Sequence, residues 1–496
     1  MSFLGIDIGT SGVKVVAFDK KGSILKEARR SYSVVSSQHG YAELDALMVG
    51  NYTLEVIREV SKNLEDKVQS ISISAIGEAF TMIDEKGIPL CPAMVSSDFR
   101  AADIAKEWTE KFGKDKLYHI TGHTAHPLFS LFKILWIKNN QPEIWEKCAR
   151  ILCFEDYLQL LLGIDPCISY SLAGRTLLFD IKRESWSKEI LEYIGLDENK
   201  LSRPVASGIL TGRIPDSVAS RLNLPPDVQI FSGGHDQGCA ALGAGVSKKG
   251  VAMYALGTVE CIAPSFTESV FSDQLKTSNL CTYHHCVPEM YLSLAYSLTG
   301  GNLIEWIKKL FFSKSIEDST KTNSVYEDMF KNIGITSTNI FCLPYFTPSG
   351  TPYFSNKPMG ALLGLDLNTS QEEIISALLE GVSLEMKLNL QILQESGIKV
   401  EHFNMVGGGA KNALLVQMKA NIMNVPITVM EVTEAGCMAC AMFGASSILN
   451  ISMEELSSQW IKFGQTYIPE KSKAAFYDNK FLKYKELFPL ISSLSI

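Results

Sequence analysis

The sequence predicts an α/β protein whose two domains face each other across a cleft. With 496 residues the chain exceeds what one core usually encloses, because globular domains average about 150 residues. β-rich runs at residues 3–8 and 13–18 flank the turn Gly9-Thr-Ser-Gly12, which predicts an opening β-hairpin. A similar strand–turn–strand pattern recurs at residues 250–262 and predicts a second domain that resembles the first.

Beyond the first hairpin, helical and strand-like patterns alternate, as is typical of an α/β domain. Ala46–Leu64 has helical periodicity, and Val68–Ala75 is a short apolar run of the strand type. We therefore expect the first domain at residues 1–243 and the second at residues 244–496.

The second domain contains a further glycine-rich turn at Gly407–Asn412. It follows the strand-like segment Phe403–Val406 and precedes the helical segment Ala413–Met423. Such a junction lets a flat ligand lie against bare backbone and offers helix N-terminal amides, but it is also an ordinary βα turn. The polar patch at residues 313–323 predicts a loop or insertion.

Composition and charge exclude several classes of function. A net charge of -8 and a pI near 5.6, without a compensating Lys/Arg tract, argue against nucleic acid as a partner. The first residues contain neither a basic leader nor an apolar run long enough for export. The densest apolar segments, such as Leu128–Ile137, are too short to span a membrane. No membrane partner and a cytoplasmic location are therefore expected.

The eleven cysteines are spread through the chain, and their odd number favours free buried thiols over a disulfide framework. Cys437-Met-Ala-Cys440 has the spacing of half a zinc site, but its small neighbours favour a tightly packed helix. Cys281-Thr-Tyr-His-His-Cys286 precedes an alternating strand pattern, whose opposite faces do not bring every ligand to one ion. We interpret both clusters as structural.

The first glycine turn carries the residue types that hold phosphate. Gly9 and Gly12 let backbone N–H groups approach an anion, while Thr10 and Ser11 add hydroxyls and Lys14 adds a cation. Taken alone, the turn is also compatible with a simple hairpin. The sequence contains neither a P-loop motif nor a Rossmann glycine fingerprint, which excludes those two kinds of nucleotide site.

Asp236 is the candidate general base. It follows the apolar strand-like segment Phe231–Gly234 and precedes a small-residue helix or turn at Cys239–Val246. A carboxylate at a strand end with little bulk around it suits proton abstraction in a cleft. A helix N-cap is the alternative interpretation.

Together and in this order, the motifs resemble those of the FGGY carbohydrate kinases of the actin-like ATPase superfamily, over essentially the whole chain. Asp7-Ile-Gly-Thr-Ser-Gly-Val-Lys14 is similar to the family's N-terminal phosphate hairpin, and Gly234-His-Asp236-Gln to the segment with its catalytic aspartate. The resemblance implies an α/β fold of two ribonuclease-H-like (actin-like ATPase) domains with an interdomain cleft. The other matching motifs are Ser130–Trp136, Phe154–Leu158, Gly257-Thr258, Gly300-Gly301, Pro344-Tyr345, Gly360–Leu365, Leu379–Val382 and Gly407–Ala410.

The resemblance also implies ATP-dependent phosphorylation of a small sugar or polyol, with Mg²⁺ as cofactor. Asp236 is implied as the catalytic base, and Asp7 and Asp236 as metal-binding residues. Glu78, Asp98, Arg100 and Asp236 are implied as acceptor-binding residues, although Arg100 is equally suited to a salt bridge with Asp98. The implied ATP-binding residues are Gly9, Thr10, Ser11, Lys14, Gly257, Thr258, Gly301, Gly408, Gly409, Ala410 and Asn412.

Departures from the glycerol kinases of this family indicate the acceptor. The chain has Gly77-Glu78 where they carry arginine and glutamate, and Ser96 where they carry tryptophan. The arginine that grips glycerol is therefore absent from position 77, and we expect a roomier pocket. A ketopentose such as xylulose or ribulose is the expected acceptor, which makes the protein xylulokinase-like. Another ketose, a polyol or an aldonate such as gluconate is the alternative.

The sequence is also compatible with two functions of a different class. An actin-like ATPase would share the phosphate hairpin but lack the acceptor-pocket segments. A binding-only sugar sensor would not need intact Asp7, Asp236 and Gly-Thr turns. Dimers occur among proteins of this resemblance, so we include a homodimer among the expectations.

Overall fold

The computed structural model describes residues 1–312, 338–355 and 357–494 of the chain. In the first half, strands and helices alternate. The strands are β1 (Ser2–Ile8), β2 (Gly12–Asp19), β3 (Ile24–Ser31), β4 (Glu43–Leu44), β5 (Val68–Ala75), β6 (Phe80–Ile83), β7 (Ala93–Met94), β8 (Arg150–Cys153), β9 (Cys167–Ser169), β10 (Phe179–Asp180), β11 (Ser185–Trp186), β12 (Arg203–Val205), β13 (Leu210–Arg213) and β14 (Gln229–His235). The helices are α1 (Ala46–Ser61), α2 (Ala102–Phe112), α3 (Lys114–Thr121), α4 (Ser130–Asn140), α5 (Pro142–Lys147), α6 (Phe154–Leu161), α7 (Tyr170–Ala173), α8 (Lys188–Ile194), α9 (Asp216–Arg221) and α10 (Asp236–Gly243), with 3₁₀ turns at Gly174–Thr176 and Glu198–Lys200.

The second half continues the alternation. Its described strands are β15 (Val251–Leu256), β16 (Glu260–Phe266), β17 (Tyr283–His284), β18 (Tyr291–Leu292), β19 (Ala295–Ser297), β20 (Phe341–Leu343), β21 (Ala361–Leu363), β22 (His402–Val406), β23 (Ile427–Met430) and β24 (Phe463–Tyr467). Its described helices are α11 (Asp273–Thr277), α12 (Gly301–Phe311), α13 (Gln371–Glu395), α14 (Ala413–Met423), α15 (Ala435–Leu449), α16 (Met453–Trp460) and α17 (Lys471–Ser492), with a 3₁₀ turn at Gly408–Lys411.

The six-stranded sheet of the first half has the order β3-β2-β1-β5-β14-β13. β1 pairs antiparallel with β2 and parallel with β5, and β14 pairs parallel with β5. β13 closes the far edge antiparallel to β14. The central strands β1, β5 and β14 are almost wholly buried, which agrees with their nearly continuous apolar or small-residue runs.

The large sheet of the second half repeats this arrangement. Its strand order runs β18-β16-β15-β22-β23-β24, with β17 beyond β18 and β19 beside β16. β15 pairs antiparallel with β16 and parallel with β22, β22 pairs parallel with β23, and β23 pairs antiparallel with β24. Strand for strand, β15, β22 and β23 correspond to β1, β5 and β14. The protein is therefore a mixed α/β protein with two domains, as the sequence predicts.

Helix α15 comes from the second half but packs on the first sheet. A Cβ on Gly5 of β1 would lie 1.8 Å from the carbonyl oxygen of Cys437, so only glycine permits this approach. A Cβ on Gly243 of α10 would lie 1.9 Å from the carbonyl oxygen of Ala435. Small residues thus let α10 and α15 meet closely and join the two halves.

Most elements agree with the sequence predictions. Both glycine-turned hairpins are present, the predicted helix Ala46–Leu64 ends at Ser61, and Ala413–Met423 is helical. The helix predicted around Cys437 is confirmed, and all eleven cysteines are free and buried. The predicted loop at residues 313–323 lies outside the described residues, and the boundary between residues 243 and 244 stays a prediction. Within the described residues, no helix combines the length and apolar character needed to cross a membrane.

Candidate active site

Three acidic residues stand at the carboxyl ends of adjacent strands in the first sheet. Asp7 lies near the end of β1, Glu78 follows β5, and Asp236 follows β14. The register aligns both Asp7 and Gly234 with Ser74 of β5. Because neighbouring parallel strands end at the same sheet edge, these sequence-distant carboxylates converge.

Asp236 is the first residue of α10 and keeps 28% of its side chain accessible. The N-cap of α10 is His235, so the alternative N-cap interpretation of Asp236 does not hold. Nε2 of His235 lies 3.1 Å from Oδ1 of Asp236. Burial raises the pKa of Asp236 to about 7, and the negative charges of Asp7 and Glu78 act in the same direction. A carboxyl group with a pKa near neutrality is suited to accept a proton at physiological pH.

Asp7 lies beside the N-terminal end of α15. The Ser74 hydroxyl donates a hydrogen bond of 2.6 Å to its Oδ1. A Cβ on Gly436 would lie 3.2 Å from Cγ of Asp7, so glycine keeps this side of the carboxylate uncrowded. Burial raises the pKa of Asp7 and outweighs the lowering effect of the Ser74 hydrogen bond.

Glu78 is held through both its backbone and its carboxylate. Its φ of +62° is a left-handed conformation that is unfavourable for residues other than glycine. The Ser130 hydroxyl donates to its carbonyl oxygen at 2.9 Å. The Arg175 guanidinium donates to Oε1 through Nε at 2.5 Å, and Nη2 contacts the same oxygen. This ion pair is largely buried, with 6% of the Glu78 side chain and 11% of the Arg175 side chain exposed.

Aromatic and imidazole groups surround the ion pair. Cζ of Arg175 lies 5.0 Å from the Phe129 ring centre and 5.7 Å from that of Tyr283. Nδ1 of His235 lies 3.3 Å from the Tyr283 hydroxyl. Burial lowers the pKa of His235 well below its usual value, with Arg175 as a further cause, so the ring is neutral. With its proton on Nε2, His235 accepts from Tyr283 and donates to Asp236.

Asp98 and Arg100 form the salt bridge that the sequence allows. Nε of Arg100 lies 2.9 Å from Oδ1 of Asp98, and Nη2 lies 2.7 Å from Oδ2. Nη2 also donates to Oε1 of Glu43 at 2.5 Å, and the guanidinium lies 3.6 Å from the Tyr41 ring centre. Asp98 is fully buried, and 3% of the Arg100 side chain is exposed. The Asp98–Arg100 pair therefore stabilises the loop between β7 and α2.

The turn between β1 and β2 exposes Thr10 and Ser11. The Gly9 N–H closes the turn through a backbone hydrogen bond of 2.9 Å. Lys14 forms an ion pair with Glu434, the N-cap residue of α15. The cation predicted beside the turn is therefore shared with a carboxylate of the second half.

The turn between β15 and β16 exposes Gly257 and Thr258. The N-terminus of α12 packs on it, and the Gly301 N–H donates to the Gly257 carbonyl at 2.9 Å. A Cβ on Gly301 would lie 2.5 Å from that oxygen, so the contact requires glycine. These three predicted ATP-binding residues form one continuous stretch of backbone surface.

The turn after β22 lies at the same sheet edge, because β15 and β22 are parallel neighbours. Gly407 has a φ of +102°, and a Cβ there would lie 2.4 Å from the Leu256 carbonyl oxygen. A Cβ on Gly408 would meet nothing within 4 Å, so this glycine borders open space. Oδ1 of Asn412 accepts a 3.0 Å hydrogen bond from a backbone N–H and caps α14, while Ala410 is buried.

Sequence comparison identifies the family. Residues 2–243 match the N-terminal domain, and residues 252–448 the C-terminal domain, of the FGGY family of carbohydrate kinases. The chain belongs to this family. The resemblance inferred from the ordered motifs is therefore confirmed.

Relatives of this FGGY kinase act on more than one acceptor. A xylulose kinase of Staphylococcus xylosus is 26% identical over 487 residues, which cover 98% of this chain and 99% of that protein. The solved xylulose kinase from Lactobacillus acidophilus matches with a TM-score of 0.91 at 22% identity, over 99% of this chain and 98% of that chain. The gluconate kinase from the same organism also matches with a TM-score of 0.91, at 21% identity and the same coverage. The fold alone therefore does not identify the acceptor.

A cavity of about 880 Å³ in the FGGY kinase lies beside the Asp98 loop. Ser97 and His126 line it from the first half, and Phe354 lines it from the second. None of the three converging carboxylates is among its lining residues. We place the candidate chemistry at the carboxylates, because Asp7 and Asp236 have raised pKa values and Asp236 is suited to accept a proton.

Sequence reasoning found the carboxylates of the FGGY kinase but missed the groups around them. Arg175, Tyr283 and the contact of His235 with Asp236 were not predicted. The signal for Arg175 was weak: a single cation in the apolar stretch Leu172-Ala-Gly-Arg-Thr-Leu-Leu178. The role of a single cation such as Arg175 can be inferred only when the fold shows which carboxylate it contacts.

Proposed function

We propose that this FGGY kinase transfers the γ-phosphoryl group of ATP to a hydroxyl of a ketopentose such as xylulose or ribulose. One observation carries the proposal: Asp7, Asp236 and the Glu78–Arg175 pair converge at one sheet edge. Family membership supplies the reaction class, and the relatives named xylulose kinase favour a ketopentose.

Asp236 acts as the general base in this proposal. It accepts the proton of the attacking hydroxyl while the oxygen bonds to phosphorus, a role that contributes about 10²–10⁴-fold to the rate. Its raised pKa gives the carboxylate enough basicity, and its accessible edge leaves room for a substrate. The neutral His235 keeps the carboxylate oriented through its 3.1 Å contact.

The glycine turns form the nucleotide side of the proposed site. Phosphoryl transfer depends mainly on positioning and on neutralising spreading charge, which backbone N–H groups and hydroxyls provide. Exposed glycine and hydroxyl residues at the strand ends suit this task. The proposed ATP-binding residues are Gly9, Thr10, Ser11, Lys14, Gly257, Thr258, Gly301, Gly408, Gly409, Ala410 and Asn412. Asn412 and Lys14 would act indirectly, because one caps a helix and the other is ion-paired.

Asp7 and Asp236 fit a magnesium ion. Among the described residues, no group of three or more His, Cys, Asp or Glu side chains is arranged to hold a metal by itself. Mg²⁺ commonly takes one or two carboxylates and completes its shell with phosphate oxygens and water. The pKa of each carboxyl is raised by burial, and the charge of Asp7 raises that of Asp236 further, so the two form a suitable donor set. When bound, the ion would offset the negative charge of the ATP phosphates.

The charge of the acceptor side favours a neutral sugar over an aldonate. Asp7, Glu78 and Asp236 bring three carboxylates together, whereas Arg175 is the cation paired among them. Lys133 is buried nearby, but its ammonium donates to the carbonyl oxygens of Glu78 and Val95, and burial lowers its pKa to about 8. An aldonate would add a further carboxylate to this site. Gluconate therefore remains the second candidate.

Asp98 and Arg100 stay proposed contributors to acceptor binding, but in a supporting role. Their side chains satisfy each other and are almost inaccessible. They would act by holding the loop that carries Ser97 and Phe99 beside the cavity. We also propose a cytoplasmic location, where ATP is available, and a homodimer, which light scattering on the purified chain would test.

The experiment that tests the function is coupled ADP release with Mg-ATP against ketoses, polyols and aldonates, with Asp236→Ala alongside the parent. Turnover that requires a ketopentose and disappears in the variant would support the proposal. Preference for gluconate would favour the second candidate. ATP hydrolysis that ignores every acceptor would favour an actin-like ATPase, and acceptor binding without turnover would favour a sensor.

A further inference from the structure

Arg175 reaches the candidate acceptor site from a distant part of the chain. It lies in the 3₁₀ turn Gly174–Thr176, which follows α7. Its guanidinium packs between the Phe129 and Tyr283 rings and meets the carboxylate of Glu78. The cation therefore contacts the acidic residue that directly follows Gly77.

Gly77 leaves the space that Arg175 and His235 occupy. A Cβ on Gly77 would lie 2.7 Å from Nε2 of His235 and 3.4 Å from Cγ of Arg175. Any side chain at position 77 would therefore displace the imidazole, while its Cβ would only touch the stem of Arg175. Glycine at 77 therefore makes room for His235 beside Arg175.

The ion pair retains unused hydrogen-bonding capacity. A guanidinium has five N–H donors, and Arg175 directs two of its nitrogens at Oε1 of Glu78. Among the described residues, no other acceptor bonds Arg175, and no donor bonds Oε2 of Glu78. None of these atoms is among the fully enclosed polar atoms without a partner in the described residues, so the small exposed fractions of the two side chains leave them within reach of a ligand. The free donors and the free acceptor therefore point to a ligand.

We propose that Arg175 is a specificity-determining residue. Together with Glu78, it hydrogen-bonds a pair of adjacent hydroxyls on a neutral acceptor. A hydroxyl both donates and accepts, so one diol matches an N–H of Arg175 and Oε2 of Glu78 at the same time. This inference rests on the proposed kinase function and adds the group that selects the acceptor.

The test compares the best acceptor with its monodeoxy analogues. A site built to bond a hydroxyl rejects the analogue that lacks it strongly, so the parent should disfavour at least one analogue by about 10²-fold in kcat/KM. In Arg175→Met, this discrimination should fall below about 5-fold, and the KM for the full acceptor should rise about 10-fold or more, with the KM for ATP unchanged. Arg175→Lys, which keeps the charge but loses the planar fork, should be intermediate.

Arg183→Met is the matched control, because Arg183 lies eight positions after Arg175, pairs with Asp180 and has 80% of its side chain exposed. It should keep the parental discrimination. Equal loss of turnover on all analogues in Arg175→Met, with the discrimination intact, would show a structural role and overturn the inference. If Arg175→Met does not unfold cooperatively, the discrimination in kcat/KM between the full acceptor and its analogues is measured in Arg175→Lys instead. Parental discrimination in that variant would overturn the inference. If the parent shows no acceptor-dependent turnover, the kinase proposal itself fails. If the parent is active but the variants keep its discrimination between the full acceptor and the analogues, only the role proposed for Arg175 fails.

Discussion

The two halves repeat one sheet order, but the acidic residues at corresponding positions have different partners. In the first half, β14 leads into α10, which begins at Asp236. In the second half, β23 leads into α15, which is preceded by Glu434. Glu434 is neutralised by an ion pair with Lys14, whereas no lysine or arginine is ion-paired with Asp236 within the described residues.

The difference shows what the fold supplies and what individual side chains add. The repeated topology brings an acidic residue to the start of a helix on each side of the molecule. The ion pair with Lys14 makes Glu434 a structural link between the two halves of the chain. Burial, Asp7 and Glu78 raise the pKa of Asp236 to about 7 and make it a candidate base.

The largest expected effect separates these two acids. Asp236→Asn removes the base but keeps the size of the side chain, so kcat should fall by about 10²–10⁴-fold. Glu434→Gln is the matched control, and kcat should change by less than about 5-fold because a single partly exposed ion pair contributes little. Coupled ADP release with the best acceptor measures both. Similar losses in the two variants would contradict the assignment of Asp236.

The next effect concerns two adjacent glycines in the turn after β22. Gly407→Ala places a Cβ 2.4 Å from the Leu256 carbonyl oxygen on a left-handed backbone, so it should lower the free energy of unfolding by roughly 2–4 kcal/mol. Gly408→Ala meets no such contact and should change it by less than about 0.5 kcal/mol.

Urea unfolding of both glycine variants tests this contrast. If the turn faces the nucleotide as proposed, Gly408→Ala should also raise the KM for ATP more than the KM for the acceptor. An equally stable Gly407→Ala variant would show that the turn is not held by its contact with β15.

The pH dependence provides a smaller and more specific test of Asp236. The base form is the charged form, so kcat/KM for the acceptor should fall about tenfold per pH unit below the pKa of about 7. For stability, the raised pKa means that the folded state binds the proton more tightly than the unfolded state. The carboxylate therefore destabilises the fold as pH rises from about 4 to about 7.

Asp236→Asn should consequently be more stable than the parent by roughly 1–3 kcal/mol at pH 8, with the difference vanishing near pH 4. Burial also raises the pKa of Glu155 to about 7, but this residue is present in both proteins and its contribution cancels. Thermal unfolding at both pH values measures the difference. A pH-independent difference would contradict the raised pKa.

These comparisons also show what sequence can predict. Both glycine-turned hairpins were predictable, because their turns and apolar strands are local patterns. Asp7 and Asp236 followed from motifs in a fixed order, and Glu78 from the comparison with the glycerol kinases. The pairing of Lys14 with Glu434, and of Arg175 with Glu78, was not predictable, because each pair joins residues far apart in sequence that only the packed fold brings together. The same packing revealed that Asp98 and Arg100 satisfy each other.

The smallest expected effect is the coupling between Lys14 and Glu434, the ion pair that links the two halves. A double-mutant cycle with Lys14→Met and Glu434→Gln should give a coupling free energy of roughly 0.5–1 kcal/mol, because both side chains are 22% exposed. The exposed pair Lys111 and Glu107 is the matched control and should give about 0.3–0.5 kcal/mol. Added salt should weaken the control pair more, since solvent screens it more fully. Equal couplings would mean that packing of α15 on the first sheet, rather than this ion pair, holds the halves together.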